Sequence, residues 1–386
     1  MPPFSFAGYR RADGRIGIRN HLLVLSTLAL TNRLAELSAA GSADVLLVAT
    51  DFQRGLRGRD AQMQERVIRG LLTHPNTGGA VIFVHDTPAR ERFLALAAAL
   101  GRPVQVVAFM EGHGMADSVR RGADAIAAVR QNMTRQPDTS GGLGDLTLAL
   151  ECGGSDPTSA VCANPTIGAL VDSVVAAGGR AIVSETAEFI GAEPVVLARA
   201  AAPAIGQQVL QAIARCEQMM QADGEDYRGV NPTPENIAGG LTTLIEKSMG
   251  AVAKCGASPI AGFLDFAETP QGPGLYFMDT PFFSPVSITG MVCAGAQLTL
   301  FAIGVFNPSG NPVAPTVKIC GNPQTLRDWP DVVDVDVSML VEGKGRLPEA
   351  HARLAQRVQS ICNGEQSWTE KWREGQVLGI RSLPAL

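Results

Sequence analysis

Residues 146–156 read Leu-Thr-Leu-Ala-Leu-Glu-Cys-Gly-Gly-Ser-Asp. An apolar run ends at Leu150, a Gly-rich turn follows, and Asn164-Pro165 then opens a helical pattern. That is how a buried strand delivers its carboxyl end to a loop in an open α/β sheet. Upstream, residues 21–30, 43–50, 79–85 and 103–109 repeat the strand part: short, rich in Leu or β-branched residues, bounded by Gly or Pro. Between them, residues 60–72, 88–100 and 116–130 carry apolar side chains at helical spacing with Arg, Glu and Gln opposite. Alternation of this kind predicts a two-lobed α/β fold with mostly parallel sheets, flanking helices and a more strand-rich C-terminal part.

Residues 136–144, Gln-Pro-Asp-Thr-Ser-Gly-Gly-Leu-Gly, form the best linker in the chain. They divide an N-terminal α/β domain, 1–135, from a C-terminal α/β domain, 145–386, which carries most of the chemistry. In the second part, residues 165–177 predict a helix, 180–184 a strand and 195–221 a long Ala-rich helical region. An acidic stretch at 221–227 leads to a helix at 233–249. Short strands punctuated by Gly and Pro follow at 259–319, then a helix at 346–362 and a tail in which Trp368 and Trp372 pack back on the body.

The bulk numbers exclude several classes. With 386 residues and 46% hydrophobic content the chain has ample material for packed cores. A net charge of -5 without a basic block recruits no nucleic acid. The longest apolar stretches, such as 43–50, are too short for a bilayer, and the N-terminus has no secretory pattern. Seven cysteines stand as singles with no CxxC, which fits a reducing cytoplasm better than a disulfide framework. No G-x-G-x-x-G opens the first βα turn, where Ser26-Thr-Leu-Ala-Leu30 stands instead, so a nucleotide-dependent oxidoreductase is disfavoured.

Packing does not explain several strings of polar residues and glycine. They are Gly8-Tyr-Arg-Arg-Ala-Asp-Gly-Arg-Ile-Gly-Ile-Arg-Asn20, Glu151-Cys-Gly-Gly-Ser-Asp156, Ala163-Asn-Pro-Thr-Ile-Gly168, Ser184-Glu-Thr-Ala-Glu188 and Gly191-Ala-Glu193. Asn231-Pro-Thr-Pro-Glu-Asn236, Glu246-Lys-Ser-Met-Gly250 and Met278-Asp-Thr-Pro281 complete the series. Each has two readings. Ser155, Asp156 and Asn164 either meet a ligand at a strand end or belong to a strand–turn–helix with its cap. Glu185 and Glu188 either hold a metal or divide base and support roles, or they cap a helix in solvent. Lys247 and Lys254 either neutralise a substrate carboxylate or sit solvated at the surface. Arg19 either clamps a carboxylate or fastens the N-terminal arm.

In order and content, these strings over residues 8–340 resemble the altronate/galactarate dehydratase family, which includes the large subunit of sulfolactate sulfo-lyase. The resemblance implies a β-elimination, dehydration or desulfonation, on a small polar 2-hydroxy acid such as a sugar acid or sulfolactate. It implies Lys247, Glu185 and Cys152 as catalytic residues, with Ser155, Asp156, Asn164, Arg19 and Lys254 binding substrate. It also implies a divalent metal (Mg, Mn or, commonly in relatives, Fe); Glu188, Asp279 and His85, polar residues that follow strands in this sequence, are the candidate ligands. A small SAF-type domain is expected as a separate subunit, if present, and the chain itself as a homo-oligomer.

The pattern departs from the family in places. Residues 50–57, Thr-Asp-Phe-Gln-Arg-Gly-Leu-Arg, replace a His and a Gly-Cys-Gly string, and Val84-His-Asp-Thr87 replaces Gly-Cys-Glu. Ile303-Gly-Val-Phe306 stands for Thr-Gly-Arg-Gly. Cys152 is then the one family cysteine retained, and soft-ligand iron chemistry loses its usual ligands. His85 and Asp86 either replace them as a hard-metal site or cap a strand end. A metal-free enzyme is the other expectation, with Lys247 as the cation and a glutamate as base. From a different class comes the alternative of a non-catalytic or regulatory subunit that binds a carboxylate metabolite or pairs with a paralogue.

Overall fold

The computed structural model describes residues 4–221, 231–375 and 378–380, so of the acidic stretch expected at 221–227 only Gln221 lies within them. The chain first pairs β1 (Phe6–Arg10) with β2 (Ile16–Gly17), then builds β3 (His21–Ser26), β4 (Val45–Val48), β5 (Thr77–Val84) and β6 (Val104–Ala108). These last four form a parallel sheet in the order β4-β3-β5-β6. Its strands are almost wholly apolar because helices Asn32–Ala39, Gly58–Thr73, Thr87–Ala98 and Met115–Asn132 accompany them. The expected linker is itself structured: β7 (Thr139–Gly141) pairs antiparallel with β1, giving a small sheet in the order β2-β1-β7.

The second sheet contains β8 (Thr147–Gly153), β9 (Arg180–Val183), β10 (Ile260–Leu264), β11 (Gly274–Met278), β12 (Leu298–Ile303), β13 (Thr316–Cys320) and β14 (Val335–Asp336). All seven run parallel in the order β10-β11-β9-β8-β12-β13-β14. β8 lies at the centre, so its carboxyl end is surrounded by the ends of β9, β11, β12 and β13. The two large sheets share a core, in which Leu23, Leu25 and Ile82 join a cluster with Ala149, Phe301 and Ile303.

Three helical expectations are revised. The region 195–221 is two helices, Glu193–Arg199 and Pro203–Met219. Pro203 supplies no N–H and disfavours helix in the residue before it, and Ala201 N bonds instead to Ile260 O at 2.9 Å. The region 233–249 likewise divides at Gly239-Gly240 into Pro234–Ala238 and Leu244–Ala253. Within 259–319, expected as short strands, lies the helix Ser284–Cys293. Every residue of this helix except Pro285 is buried, so no polar face betrays its period. One further run, residues 159–176, has the length and composition of a bilayer span, yet Cys162, Ile167, Leu170, Val171 and Val174 pack into the protein core.

Candidate active site

In a strand, successive side chains face opposite sides. At the end of β8 this sends Glu151 toward the helix Ser284–Cys293 and Cys152 toward the helix Leu244–Ala253. Ser287 Oγ donates to Glu151 Oε2 at 2.6 Å. Lys254 Nζ donates to Cys152 Sγ at 3.1 Å and to Glu188 Oε2 at 2.6 Å. The Cys152 thiol in turn lies 3.2 Å from both oxygens of Glu188. The lysine helix starts at a capping box, Thr243 with Glu246, which places Lys247 and Lys254 seven residues apart on one face.

Glu185 follows β9 with φ +64, a left-handed conformation that costs a non-glycine residue on the order of 1 kcal/mol. Thr280, after β11, holds it there: Glu185 N donates to Thr280 Oγ1 at 2.9 Å and Thr186 N to Thr280 O at 3.3 Å. The twist brings the Glu185 carboxyl close enough to Glu151 for each to oppose the other's charge. One oxygen of each, Glu151 Oε1 and Glu185 Oε2, has no hydrogen-bond partner among the described residues.

Three carboxyls, one thiol and one ammonium are therefore sealed from water, each at most 3% exposed. Burial and the neighbouring carboxylates push Glu185 well above the ordinary carboxylate range. Burial lifts Glu151 to about 7, against the pull of the Lys254 ammonium. Burial and Glu188 push the Cys152 thiol up, so it stays protonated. Burial opposes the charge on Lys254, but the acidic groups around it, with Glu188 Oε2 at 2.6 Å, outweigh burial and keep it an ammonium. The cluster thus has one ion pair, Lys254 with Glu188, beside two buried carboxyls, Glu151 and Glu185, that disfavour each other's charge.

Beside it lies a polar wall. Asn236 Nδ2 donates to Ser155 O at 3.0 Å, and Lys247 Nζ donates to Asn236 Oδ1 at 3.3 Å. Lys247 Nζ also sits 4.2 Å from the Phe282 ring centroid. Ser155 Oγ, Asn164 Oδ1 and Ser184 Oγ are buried without a partner, as are both polar side-chain atoms of Asn231. Buried hydroxyl and amide atoms with no partner among the described residues have bonding capacity that a polar ligand could use.

The remaining expected residues have other duties. Asp156 caps the helical run: its Oδ1 accepts from Ser159 N at 2.8 Å and Thr158 Oγ1 at 2.7 Å, and its Oδ2 from Asn322 Nδ2 at 2.7 Å. Helical structure therefore begins before Asn164, at the turn Ser159–Ala163, and Asn164 offers a side chain rather than free helix-terminal N–H groups. Arg19 binds no part of the cluster. All five of its N–H donors go to Glu370, Ile18 O, Ile361 O and Glu365 O. Asp279 accepts from Thr186 Oγ1 at 2.8 Å and from Arg59 and Arg215, each at 3.2 Å. His85 follows β5 in the other sheet, where Asp86 caps helix Thr87–Ala98. Glu188, Asp279 and His85 thus do not converge. Among the described residues no group of three or more His, Cys, Asp or Glu is arranged for a metal ion. The residues present do not fit the divalent metal that the resemblance implies, because Cys152 and Glu188 close on the Lys254 ammonium.

Sequence reasoning missed Glu151, Ser287, Thr280 and Asn236. Glu151 carried a signal: a lone carboxylate on a strand whose other members are apolar is costly unless it is used. Ser287 and Thr280 gave none, since hydroxyls are ordinary in helices and turns.

Residues 143–384 match the family model described as D-galactarate/Altronate dehydratase, C-terminal. Residues 8–134 match the one described as D-galactarate dehydratase/Altronate hydrolase, second domain. The (2R)-sulfolactate sulfo-lyase subunit beta of Chromohalobacter salexigens is 32% identical over 371 residues, covering 95% of this chain and 94% of the relative. Altronate dehydratase of Escherichia coli K12 is 29% identical over 374 residues, 94% of this chain and 75% of that protein. Galactarate dehydratase (L-threo-forming) of the same strain is 25% identical over 408 residues, 96% of this chain and 76% of that protein.

Proposed function

Because the chain belongs to the D-galactarate/altronate dehydratase family, we propose that it is a lyase performing β-elimination on a small 2-hydroxy acid, a sugar acid or sulfolactate. The observation that carries this reading is the buried cluster at the carboxyl ends of β8 and β9, where Glu151 and Glu185 lie beside the Lys254–Glu188 ion pair and burial raises both carboxyls above the ordinary range. Elimination needs a base and an acid. Glu151, ionised, takes the proton from the carbon beside the substrate carboxylate, and the C–H electrons become the new C=C bond. The β substituent leaves, as water once Glu185 has given it a proton, or as sulfite. The enol then tautomerises to a 2-oxo acid. Lys247, Ser155 and Asn164 supply the contacts that hold the carboxylate and hydroxyls of the acid.

The test is a panel of hexaric and hexonic acids and 3-sulfolactate, read as 2-oxo acid formed and sulfite released. We expect product with the wild-type chain and a loss of about 10²–10⁴-fold in Glu151→Gln and Glu185→Gln. Saturable binding of an acid without product would favour the non-catalytic subunit instead. The relative of matching length is named a subunit, which supports a separate small SAF-type partner, and co-purification after co-expression tests it. Exposed apolar side chains at Val161, Ile237 and Ile245 support an assembled state, which we expect to include further copies of this chain. Free, buried cysteines at all seven positions support a cytoplasmic location.

A further inference from the structure

Lys254 closes the helix Leu244–Ala253 and carries its ammonium to the carboxyl edge of the seven-stranded sheet, where it is completely buried. Two of its three N–H donors go to Cys152 Sγ and Glu188 Oε2. Among the described residues the third has no hydrogen-bond partner. The buried oxygens Glu151 Oε1 and Glu185 Oε2 also lack a donor of their own. A thiol and carboxylates are donor types that elsewhere gather round a divalent ion. Here a side-chain cation stands among them. Neither half is stable alone: a buried ammonium without anions, or these anions without a cation, leaves charge uncompensated away from water.

We propose that Lys254 is the resident cation of this site, a positive charge built into the chain where a bound metal would otherwise be required, and that its third N–H meets the substrate carboxylate as negative charge develops there. The proposal rests on the elimination reading. It assigns the electrophilic role to Lys254 rather than to Lys247, whose ammonium is bonded to Asn236 and packed on Phe282. A fixed ammonium has consequences that a metal does not. It cannot be chelated, it carries one charge rather than two, and it acts by donating N–H rather than by accepting an oxygen lone pair.

The experiment compares the wild-type chain, purified anaerobically without an affinity tag, with Lys254→Ala, which leaves room for a small amine. For the wild type we expect no stoichiometric metal, and unfolding temperature and turnover unchanged by prolonged chelation. For Lys254→Ala we expect turnover lowered about 10²–10³-fold and partly restored by methylammonium, but not by tetramethylammonium, which has the charge without an N–H. If Lys254→Ala does not fold, Lys254→Ala combined with Glu188→Gln removes the unpaired carboxylate and takes its place in the comparison. Wild-type protein holding one equivalent of metal that is lost in Cys152→Ala would overturn the proposal. So would a folded variant that methylammonium fails to rescue, or that tetramethylammonium rescues equally. A wild type inactive on every hydroxy acid would sink the functional reading alone. The cation assignment is then read without substrate, from a rise in the unfolding temperature of the variant with methylammonium and none in the wild type.

Discussion

Glu151 and Glu185 stand at the carboxyl ends of two neighbouring strands, β8 and β9, both carboxyls buried and each within the other's electrostatic reach. Two carboxyls so placed, away from water, oppose joint ionisation. Ser287 Oγ donates to Glu151 and the Lys254 ammonium pulls against its burial, so both favour the anion on Glu151. That bias suits Glu151 to the base and Glu185 to the acid of the proposed elimination.

The first prediction is a pH dependence with opposite signs for turnover and stability. Turnover falls as pH drops through about 7, because protonated Glu151 can no longer accept a proton. Stability runs the other way. Between the ordinary value of 4.5 and about 7, the unfolded chain releases a proton that folded Glu151 keeps. This contribution is therefore fully present below 4.5 and is lost as pH rises through about 7. Glu151→Gln flattens that part of the curve. Urea unfolding from pH 4.5 to 8 checks it, and an unchanged slope in the variant would contradict the assignment.

Arg19 and Glu370 bring a second prediction, one of stability without catalysis. Their two parallel bonds, 2.8 and 2.9 Å, tie the N-terminal arm to the C-terminal helical tail. Arg19→Ala strands a half-buried carboxylate and three carbonyl contacts, a cost of about 3 kcal/mol. Arg19→Lys recovers part of this, since an ammonium cannot reproduce the fork. Denaturant melts measure the loss. The kcat of the folded fraction stays at the wild-type value, and a large fall in kcat would return Arg19 to the site.

Much of this was legible in the sequence because parallel strands buried on both faces announce themselves. The runs at 79–85 and 103–109 became β5 and β6 with small shifts in their ends. Residues 152, 185 and 188 stand out because polar residues follow strand ends, and Lys254 because it borders an apolar turn; the structure places the four in one cluster. What the sequence could not give was pairing across distance. Nothing near Cys152 says that a lysine 102 residues away will meet its sulfur. Nor does the run around Asp156 reveal that three donors already occupy its carboxylate. His85 and Asp279 are metal candidates in the sequence because each is a possible ligand just after a strand. Arginines from two other elements hold Asp279, and His85 belongs to the other sheet.

The open oxygens on the polar wall give a third prediction. Ser155 Oγ and Asn164 Oδ1 make no hydrogen bond among the described residues. Truncating them therefore removes no native interaction and relieves a desolvated group, so stability changes by about 1 kcal/mol or less, or improves. If these atoms bind the substrate, Ser155→Ala and Asn164→Ala raise KM about 10-fold each, the worth of one ordinary hydrogen bond. Thermal melts and saturation kinetics on the same samples separate the two effects. Destabilised variants with unaltered KM would show that these atoms serve the fold.

Gly304, just past β12, tests whether the Cys152–Asp156 loop is held by backbone contact. Its N–H donates to Gly154 O at 3.1 Å, and Val305 N donates to the same oxygen at 2.7 Å, so two strand ends are stitched together. A Cβ at Gly304 would fall 2.4 Å from Asp156 Cγ and Oδ1 and 2.7 Å from Asp156 N. Asp156 cannot swing aside without giving up its bonds to Ser159 N and Asn322. Alanine gains about 0.4–1 kcal/mol by restricting the unfolded chain, but overpacking at a rigid backbone costs about 1–3 kcal/mol. The second term wins, so Gly304→Ala lowers the unfolding temperature. Because Ser155 precedes Asp156 in the displaced loop, KM rises as well. Gly142→Ala is the matched control: there the nearest atom to the new Cβ is Phe4 O at 3.6 Å, an ordinary contact. Equal melting temperatures for the two variants would mean that the loop yields freely and that Gly304 does not hold it.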